Sequence, residues 1–160
     1  MEKNEEIIIF KIITLGESGV GKTSIIKRYV HNIFDIDCLS TIGINFSFKE
    51  VERNGRKIQL KFYDTAGQEK YRSLTNSYYK NAEGVLFVFS LDDQNTFEKI
   101  KEWVDSFIQN QNGKDNIQIY LIGNKCDLER KINEESIVYL KNKLNIKKPQ
   151  VIQNLIQIVC

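Results

Sequence analysis

The sequence lacks the features that mark a membrane-spanning or secreted chain. Its longest apolar runs, residues 7–10 and 85–89, are far too short to cross a bilayer. It opens with the acidic stretch MEKNEE, whereas a secretory signal begins with positive charge and a longer apolar segment. Residue 2 is Glu rather than Gly, which excludes N-myristoylation. We therefore expect a soluble cytoplasmic protein, with any contact to intracellular membranes peripheral and made through a lipid or a partner.

Net charge and cysteine content are also low. A formal net charge of +2 without a basic run argues against nucleic-acid binding. The three cysteines, Cys38, Cys126 and Cys160, show no metal-site spacing, and reduced thiols explain them best. The chain of 160 residues has no repeat, linker or low-complexity tract, and this is the usual size of one domain.

Short apolar runs alternate along the chain with segments of helical period. The apolar runs predict buried strands at 7–15, 85–90 and 117–122. The helical periods predict helices at 22–30, 95–109 and 134–144. Two further strands, 45–53 and 57–63, flank Asn54-Gly55, a dipeptide that favours a hairpin turn. The order predicts an α/β fold whose sheet is mostly parallel, with one antiparallel hairpin strand, helices on both faces, and a ligand at the carboxyl ends of the strands.

The stretch GESGVGKT at 16–23 fits the phosphate-binding pattern G-x-x-x-x-G-K-[ST] between a predicted strand and a predicted helix. Its glycines let backbone N–H groups point at an anion, and the helix N-terminus adds partial positive charge. Lys22 supplies a full charge, and the Thr23 hydroxyl is a ligand suited to Mg²⁺. A chance Gly-rich turn is the alternative. The motif alone indicates a nucleoside triphosphate without naming the base.

The stretch DTAGQE at 64–69 follows the strand predicted at 57–63. Asp64 is a candidate to hold Mg²⁺, through water. Gly67 is a candidate to bring its N–H to a terminal phosphate. Gln68 is the candidate catalytic residue, because its amide can orient an attacking water.

The stretch NKCD at 124–127 follows the strand predicted at 117–122 and decides the base. The Asp127 carboxylate can accept from N1 and N2 of guanine, whereas adenine offers a bare acceptor there and would leave the carboxylate unpaired. Asn124 can brace the loop, the Lys125 stem can lie along the base, and Leu128 completes the candidate base-binding set. An ordinary polar turn is the alternative, and a P-loop ATPase is disfavoured by Asp127.

Two residues between the first helix and the hairpin are weaker candidates. The Thr41 hydroxyl is a second candidate Mg²⁺ ligand, made only with the terminal phosphate present. Phe34 is a candidate to stack on guanine. A capping threonine and a core phenylalanine are the alternatives.

Together these motifs resemble the Ras superfamily over roughly residues 7–146. The stretches IGINF at 42–46, KFYDTAGQEKYRSLT at 61–75 and YYKNAEGVLFVF at 78–89 resemble its Rab-type members. The resemblance implies a Ras-like P-loop GTPase domain with Mg²⁺ and bound GTP or GDP. It implies slow hydrolysis, and two switch segments, about 35–46 and 65–79, that contact an exchange factor, a GTPase-activating protein and effectors. It assigns metal binding to Thr23 and Thr41, and phosphate binding to Ser18, Gly19, Val20, Gly21, Lys22, Thr23 and Ser24.

The sequence departs from this family in two places. Most relatives carry Trp where this chain has Tyr63. After about residue 146 the single GTPase domain expected over 1–160 looks atypical or incomplete, because KKPQVIQNLIQIVC contains no base-covering loop and Cys160 fits no C-a-a-X pattern. We therefore expect a GTP-hydrolysing switch that recruits effectors in vesicle and membrane trafficking, with a binding-only pseudo-GTPase as the alternative.

Overall fold

A computed structural model of the chain describes residues 7–35, 40–67, 77–111 and 117–147, with side chains to residue 143. Five strands are present in this part of the chain: Ile8–Leu15 (β1), Ile44–Arg53 (β2), Arg56–Thr65 (β3), Gly84–Ser90 (β4) and Gln118–Asn124 (β5). Four helices accompany them: Lys22–His31 (α1), Gln94–Glu98 (α2), Ile100–Asn110 (α3) and Glu134–Lys147 (α4).

The strands form one sheet in the order β2-β3-β1-β4-β5. Strand β1 runs parallel to both β3 and β4, β4 runs parallel to β5, and only β2 and β3 pair antiparallel. The turn between β2 and β3 has positive φ at both central residues, 53° at Asn54 and 70° at Gly55, as a tight hairpin of this type requires. The predicted fold class is confirmed.

Both faces of the sheet are covered, as strand β4 shows. Its alternate residues point to opposite faces of the sheet. Val85, Phe87 and Phe89 join the large buried cluster that includes residues of α2, α3 and α4. Val88 belongs to a smaller cluster with Val20 and Ile122, and Ile25 of α1 packs against it. Strand β4 is therefore buried on both faces, which explains its unbroken apolar sequence.

The prediction of a single helix at 95–109 is wrong in one respect, because the structure has two helices that meet at Lys99. Lys99 keeps helical backbone angles, φ −70° and ψ −17°. Its carbonyl accepts from Glu102 N at 3.0 Å as well as from Trp103 N at 3.2 Å, which is the tighter pattern of a helix start. The predicted apolar face is otherwise present, since Phe97, Ile100 and further residues of it are buried.

An apolar cavity of about 1110 Å³ lies between α1 and the sheet. Its walls include Ile12 of β1, Leu60 of β3, Leu86 of β4, and Ile25 and Tyr29 of α1. Helix α4 continues to Lys147, and residues 148–160, where the sequence was expected to be atypical, lie outside the described residues. In the part of the chain that the structure describes, every helix is too short or too polar to span a membrane.

A candidate nucleotide-binding site

The loop between β1 and α1 has the backbone of an anion-binding cradle. Gly19 and Gly21 have φ of 76° and 97°, in the left-handed region that a residue with a side chain rarely occupies. Gly21 is the N-cap of α1 and provides no side-chain hydrogen bond to the N–H groups of the first turn. Those N–H groups and the positive end of the helix dipole are therefore available to an anion.

Lys22 is buried at the start of α1, with 5% of its surface exposed. Its Nζ donates to the carbonyl oxygens of Gly16 at 2.9 Å and Glu17 at 2.8 Å. Burial lowers the pKa of Lys22 from 10.5 to about 8, and the nearby carboxylates of Asp64 and Glu17 oppose that shift. The folded chain thus holds a cation with incomplete charge compensation, which favours an added negative charge.

We expect the parent chain to gain stability over a Lys22→Met variant as pH rises from about 8 to 10.5, without nucleotide. The pKa of Lys22 is lower in the folded chain, so the folded state releases its proton first and the penalty for burying the charge disappears across that interval. The difference should be on the order of a few kcal/mol, at about 1.4 kcal/mol for each pKa unit. Urea unfolding of both proteins at a series of pH values measures it.

Lys27→Met is the matched control for this experiment. Lys27 lies on the same helix, but its ion pair with Asp35, at 2.9 Å, joins side chains that are 41% and 49% exposed. The difference in free energy of unfolding between the parent and the Lys27→Met variant should therefore stay level over the same pH interval. A level curve for Lys22→Met as well would contradict the buried charge.

Three oxygen-bearing side chains meet beside Lys22. Thr23 Oγ1 donates to Asp64 Oδ2 at 2.6 Å and lies 2.8 Å from Thr41 Oγ1. Asp64 stands near the end of β3, Thr23 in the first turn of α1, and Thr41 before β2. The parallel pairing of β1 with β3 brings Asp64 close to Thr23, since Asp64 pairs with Thr14 near the end of β1.

The chemistry of this cluster suits Mg²⁺. Asp64 is 4% exposed, and its Oδ1 has no hydrogen-bond partner among the described residues. Burial raises the pKa of the Asp64 carboxyl, while the hydrogen bond from Thr23 and the charge of Lys22 oppose that rise. A divalent cation with hard oxygen ligands would compensate the buried carboxylate, and hydroxyl and carboxylate oxygens are the ligands that Mg²⁺ prefers. The described residues contain no cluster of His, Cys, Asp and Glu that would compete for a metal.

The end of β5 is fixed directly to the candidate phosphate-binding loop, residues 16–23 (hereafter the phosphate loop). Asn124 Nδ2 donates to the Val20 carbonyl oxygen at 2.8 Å, across 104 positions of sequence. Lys125 has φ of 61°, and its carbonyl accepts from Leu128 N at 3.2 Å, which makes a tight turn. Asp127 is exposed at this turn. The candidate base-binding motif and the candidate phosphate-binding motif therefore lie side by side.

One cavity of about 520 Å³ collects most of the predicted site residues. Its walls include Ser18, Gly19, Gly21, Lys22, Thr23, Ser24, Phe34, Thr41, Gly67, Asn124, Lys125, Asp127 and Leu128. Val20 and Asp64 are not on its wall: Val20 has its side chain in the core and contributes its carbonyl, and Asp64 lies behind Thr23. Gln68, the predicted catalytic residue, lies outside the described residues.

Comparison with known proteins agrees with this geometry. The Ras family model matches residues 11–151. The chain belongs to the Ras family. It is a Rab-type small GTPase by similarity: it is 38% identical to Ras-related protein Rab-13 of Canis lupus familiaris over 141 residues, 87% of this chain and 68% of that protein. It is 41% identical to Ras-related protein SEC4 of Saccharomyces cerevisiae over 124 residues, 78% of this chain.

A third relative, Ras-related protein Rab-10 of Diplobatis ommata, is 40% identical over 131 residues, 82% of this chain and 64% of that protein. The matched region is 57% of the SEC4 length. This Ras-family chain therefore spans between about half and two thirds of the length of these relatives.

Four residues of this Ras-family site were absent from the sequence prediction. Asp35, Ser40 and Thr65 line the 520 Å³ cavity. Glu17 lies behind it, where its backbone packs against Gly67: a Cβ on Gly67 would stand 2.3 Å from the Glu17 carbonyl carbon. Thr65 and Glu17 lie inside the motifs that were identified, but at positions where the motif accepts many residue types. Asp35 and Ser40 lie inside the predicted switch segment 35–46, but neither was assigned a role at the nucleotide from the sequence.

Proposed function

We propose that this chain is a GTP-binding switch that hydrolyses GTP to GDP and recruits effectors in its GTP state. The observation that carries the proposal is the hydrogen bond from Asn124 to the Val20 carbonyl, which joins the candidate base-binding motif at 124–127 to the phosphate loop. A phosphate loop alone would accept any nucleoside triphosphate. With Asp127 on the same cavity wall as Lys22, the base and the phosphates of one guanine nucleotide can be bound together.

The proposed chemistry needs few protein groups. Backbone N–H groups at Gly19, Gly21 and the α1 N-terminus bind phosphate oxygens, and Lys22 adds its charge. Thr23, Thr41 and Asp64 would hold Mg²⁺, which supplies positive charge to the phosphates when bound. These residues thus stabilise negative charge on the transferred group, and the sequence assigns the orientation of water to Gln68. Because no arginine lines the 520 Å³ cavity in the part of the chain that the structure describes, fast turnover would depend on an activating protein.

The switch proposal rests on residues that connect the cavity to the surface. Thr41 contacts Thr23 at 2.8 Å, while Ile42 beside it is 81% exposed. Phe34, on the cavity wall, is 66% exposed. A terminal phosphate that engages Thr41 would therefore alter the surface at about 35–46, and one that engages Gly67 would alter the segment that begins at about 65. These segments are the proposed contacts for exchange factors, activating proteins and effectors.

A trafficking role is proposed from the Rab-type relatives, and nucleotide extraction tests the molecular activity first. The purified chain is denatured, and the released nucleotide is separated and quantified. We expect close to one mole of GDP or GTP per mole of protein, since the candidate base-binding and phosphate-binding residues line the same cavity. A pseudo-GTPase that only binds effectors and holds no nucleotide would release none. An ATP-binding protein would release adenine nucleotide.

We expect Gln68→Leu to leave GTP binding nearly unchanged and to slow hydrolysis by about tenfold, the value of one lost hydrogen bond to water. Leucine keeps the bulk of the side chain but cannot orient water. Single-turnover hydrolysis of GTP, without any activating protein, measures the rate. Gln68→Glu is the matched control, because it keeps an oxygen acceptor of similar reach. Equal rates for parent and Gln68→Leu would remove Gln68 from the mechanism.

A further inference from the structure

The one tryptophan of the chain connects helix α3 to the phosphate loop. Trp103 is fully buried, and its Nε1–H donates to Glu17 Oε1 at 2.8 Å, across 86 positions of sequence. A buried indole N–H usually has an acceptor, and a carboxylate makes the hydrogen bond charge-assisted and therefore strong. The bond holds the Glu17 side chain against α3.

The backbone of Glu17 supports two candidate phosphate contacts. Its carbonyl oxygen accepts from Lys22 Nζ at 2.8 Å. Its peptide packs so closely on Gly67 that a Cβ there would stand 2.3 Å from the Glu17 carbonyl carbon and 2.4 Å from Ser18 N. Any displacement of Glu17 would therefore move the acceptor of Lys22 and the surface on which Gly67 rests.

The same helix has a second contact beyond residues 68–76. Phe107 lies one turn after Trp103, is fully buried, and meets the Tyr79 ring edge-on at 5.3 Å between centroids. Tyr79 is itself fully buried. Helix α3 thus contacts the phosphate loop through Trp103 and the segment that includes Tyr79 through Phe107.

We propose that Trp103 is a positioning residue for the phosphate site, acting through its hydrogen bond to Glu17. The bond keeps the Glu17 carboxylate, which would repel phosphates, on the α3 side of the loop, and it keeps the Glu17 backbone in place under Lys22 and Gly67. Since Gly67 is the candidate contact for the terminal phosphate, loss of the bond weakens binding of a triphosphate more than of a diphosphate. This inference rests on the proposed function.

The test is a double-mutant cycle on nucleotide affinity. Dissociation constants for GDP and for the non-hydrolysable GTP analogue with a β,γ-imido bridge are measured for the parent, Trp103→Phe, Glu17→Leu and the double variant. We expect Trp103→Phe to raise the ratio of the analogue's Kd to that of GDP by about tenfold, the size of a lost hydrogen bond to a charged group. In the Glu17→Leu background, Trp103→Phe should leave that ratio nearly unchanged, because the bond is already absent. An equal effect in both backgrounds would overturn the proposal.

Two further measurements separate positioning from packing. Phe97→Leu removes aromatic volume from the same buried cluster through a side chain without a polar atom. It should lower the melting temperature as Trp103→Phe does, yet leave the ratio of dissociation constants unchanged. Glu17→Gln keeps an oxygen acceptor without the charge, so its ratio should lie between those of the parent and of Glu17→Leu. A changed ratio in Phe97→Leu would assign the effect to core packing and overturn the proposal.

The hydrogen bond itself can be observed without nucleotide, because Trp103 is the only tryptophan of the chain. Its fluorescence emission should change in Glu17→Leu, where the indole N–H has lost a charged acceptor. An unchanged spectrum would overturn the inference even if nucleotide binds. If the parent binds no guanine nucleotide at all, the proposed function fails, and the emission comparison still decides whether the bond exists.

Discussion

The Gly21→Ala variant is expected to bind GDP about 100-fold more weakly than the parent chain. Gly21 has φ of 97°, and an alanine Cβ there would stand 2.2 Å from Asn124 Nδ2. A residue with a side chain in this region costs about 1–2 kcal/mol, and displacing Asn124 loses its hydrogen bond to the Val20 carbonyl, worth about 1 kcal/mol net. Together these losses correspond to roughly two orders of magnitude in Kd. Competition with fluorescently labelled GDP measures it.

Gly19→Ala is the matched control for this prediction. Its φ of 76° imposes a similar backbone strain, but a Cβ there would have no heavy atom within 4 Å. Its loss of affinity should therefore reflect strain alone, about tenfold. In an Asn124→Ala background the effect of Gly21→Ala should fall toward that of Gly19→Ala, because the clashing amide is gone. Equal losses for both glycine variants in the parent would contradict the contact between the two loops.

The fold was largely predictable because each element carries its own local signal. Strand β4 is buried on both faces and therefore reads as an unbroken apolar run, and the turn at Asn54-Gly55 needs two residues that accept positive φ. The break at Lys99 was not predictable, because Lys99 keeps helical angles and only the hydrogen-bond pattern changes there. Neither was the position of β1 between β3 and β4, since strand order depends on tertiary pairing.

The site shows the same division between local and tertiary information. The candidate phosphate-binding motif is a contiguous stretch because one turn of backbone and one helix N-terminus can together form an anion site, so it is visible in the sequence. The meeting of Thr23 with Asp64 depends on β1 pairing with β3, and the Glu17–Trp103 bond spans 86 positions. A motif that accepts any residue at Glu17 carries no information about this partner. Long-range contacts of variable positions were therefore found only in the structure.

The assignment of guanine to Asp127 predicts a large change in base specificity when this residue is replaced. We expect Asp127→Asn to lose several hundredfold in affinity for GTP and to gain affinity for XTP. The Asp127 carboxylate is exposed on the cavity wall that also contains Asn124 and Lys125, where it can accept from the two adjacent N–H donors of guanine. The asparagine amide keeps one acceptor for guanine but places an N–H donor where the carboxylate had its second oxygen. One hydrogen bond to a charged group is lost, and the new donor faces a guanine N–H donor. These two effects together cost about 3–4 kcal/mol. Xanthine has a carbonyl at that position and matches the amide.

Competition binding with GTP, ATP and XTP, on the parent and on the variant, decides the assignment. Asp92→Asn is the matched control, because it removes the same charge near Lys125. Asp92 accepts a hydrogen bond from the Ser90 hydroxyl and lies outside the walls of the 520 Å³ cavity. It should keep the parent's preference for GTP. A similar loss of GTP in Asp92→Asn would mean that net charge near the loop, rather than the pairing of Asp127 with the base, determines affinity. Equal affinity of the parent for ATP and GTP would contradict guanine recognition itself, because a carboxylate facing adenine has no donor to pair with and its desolvation is left uncompensated.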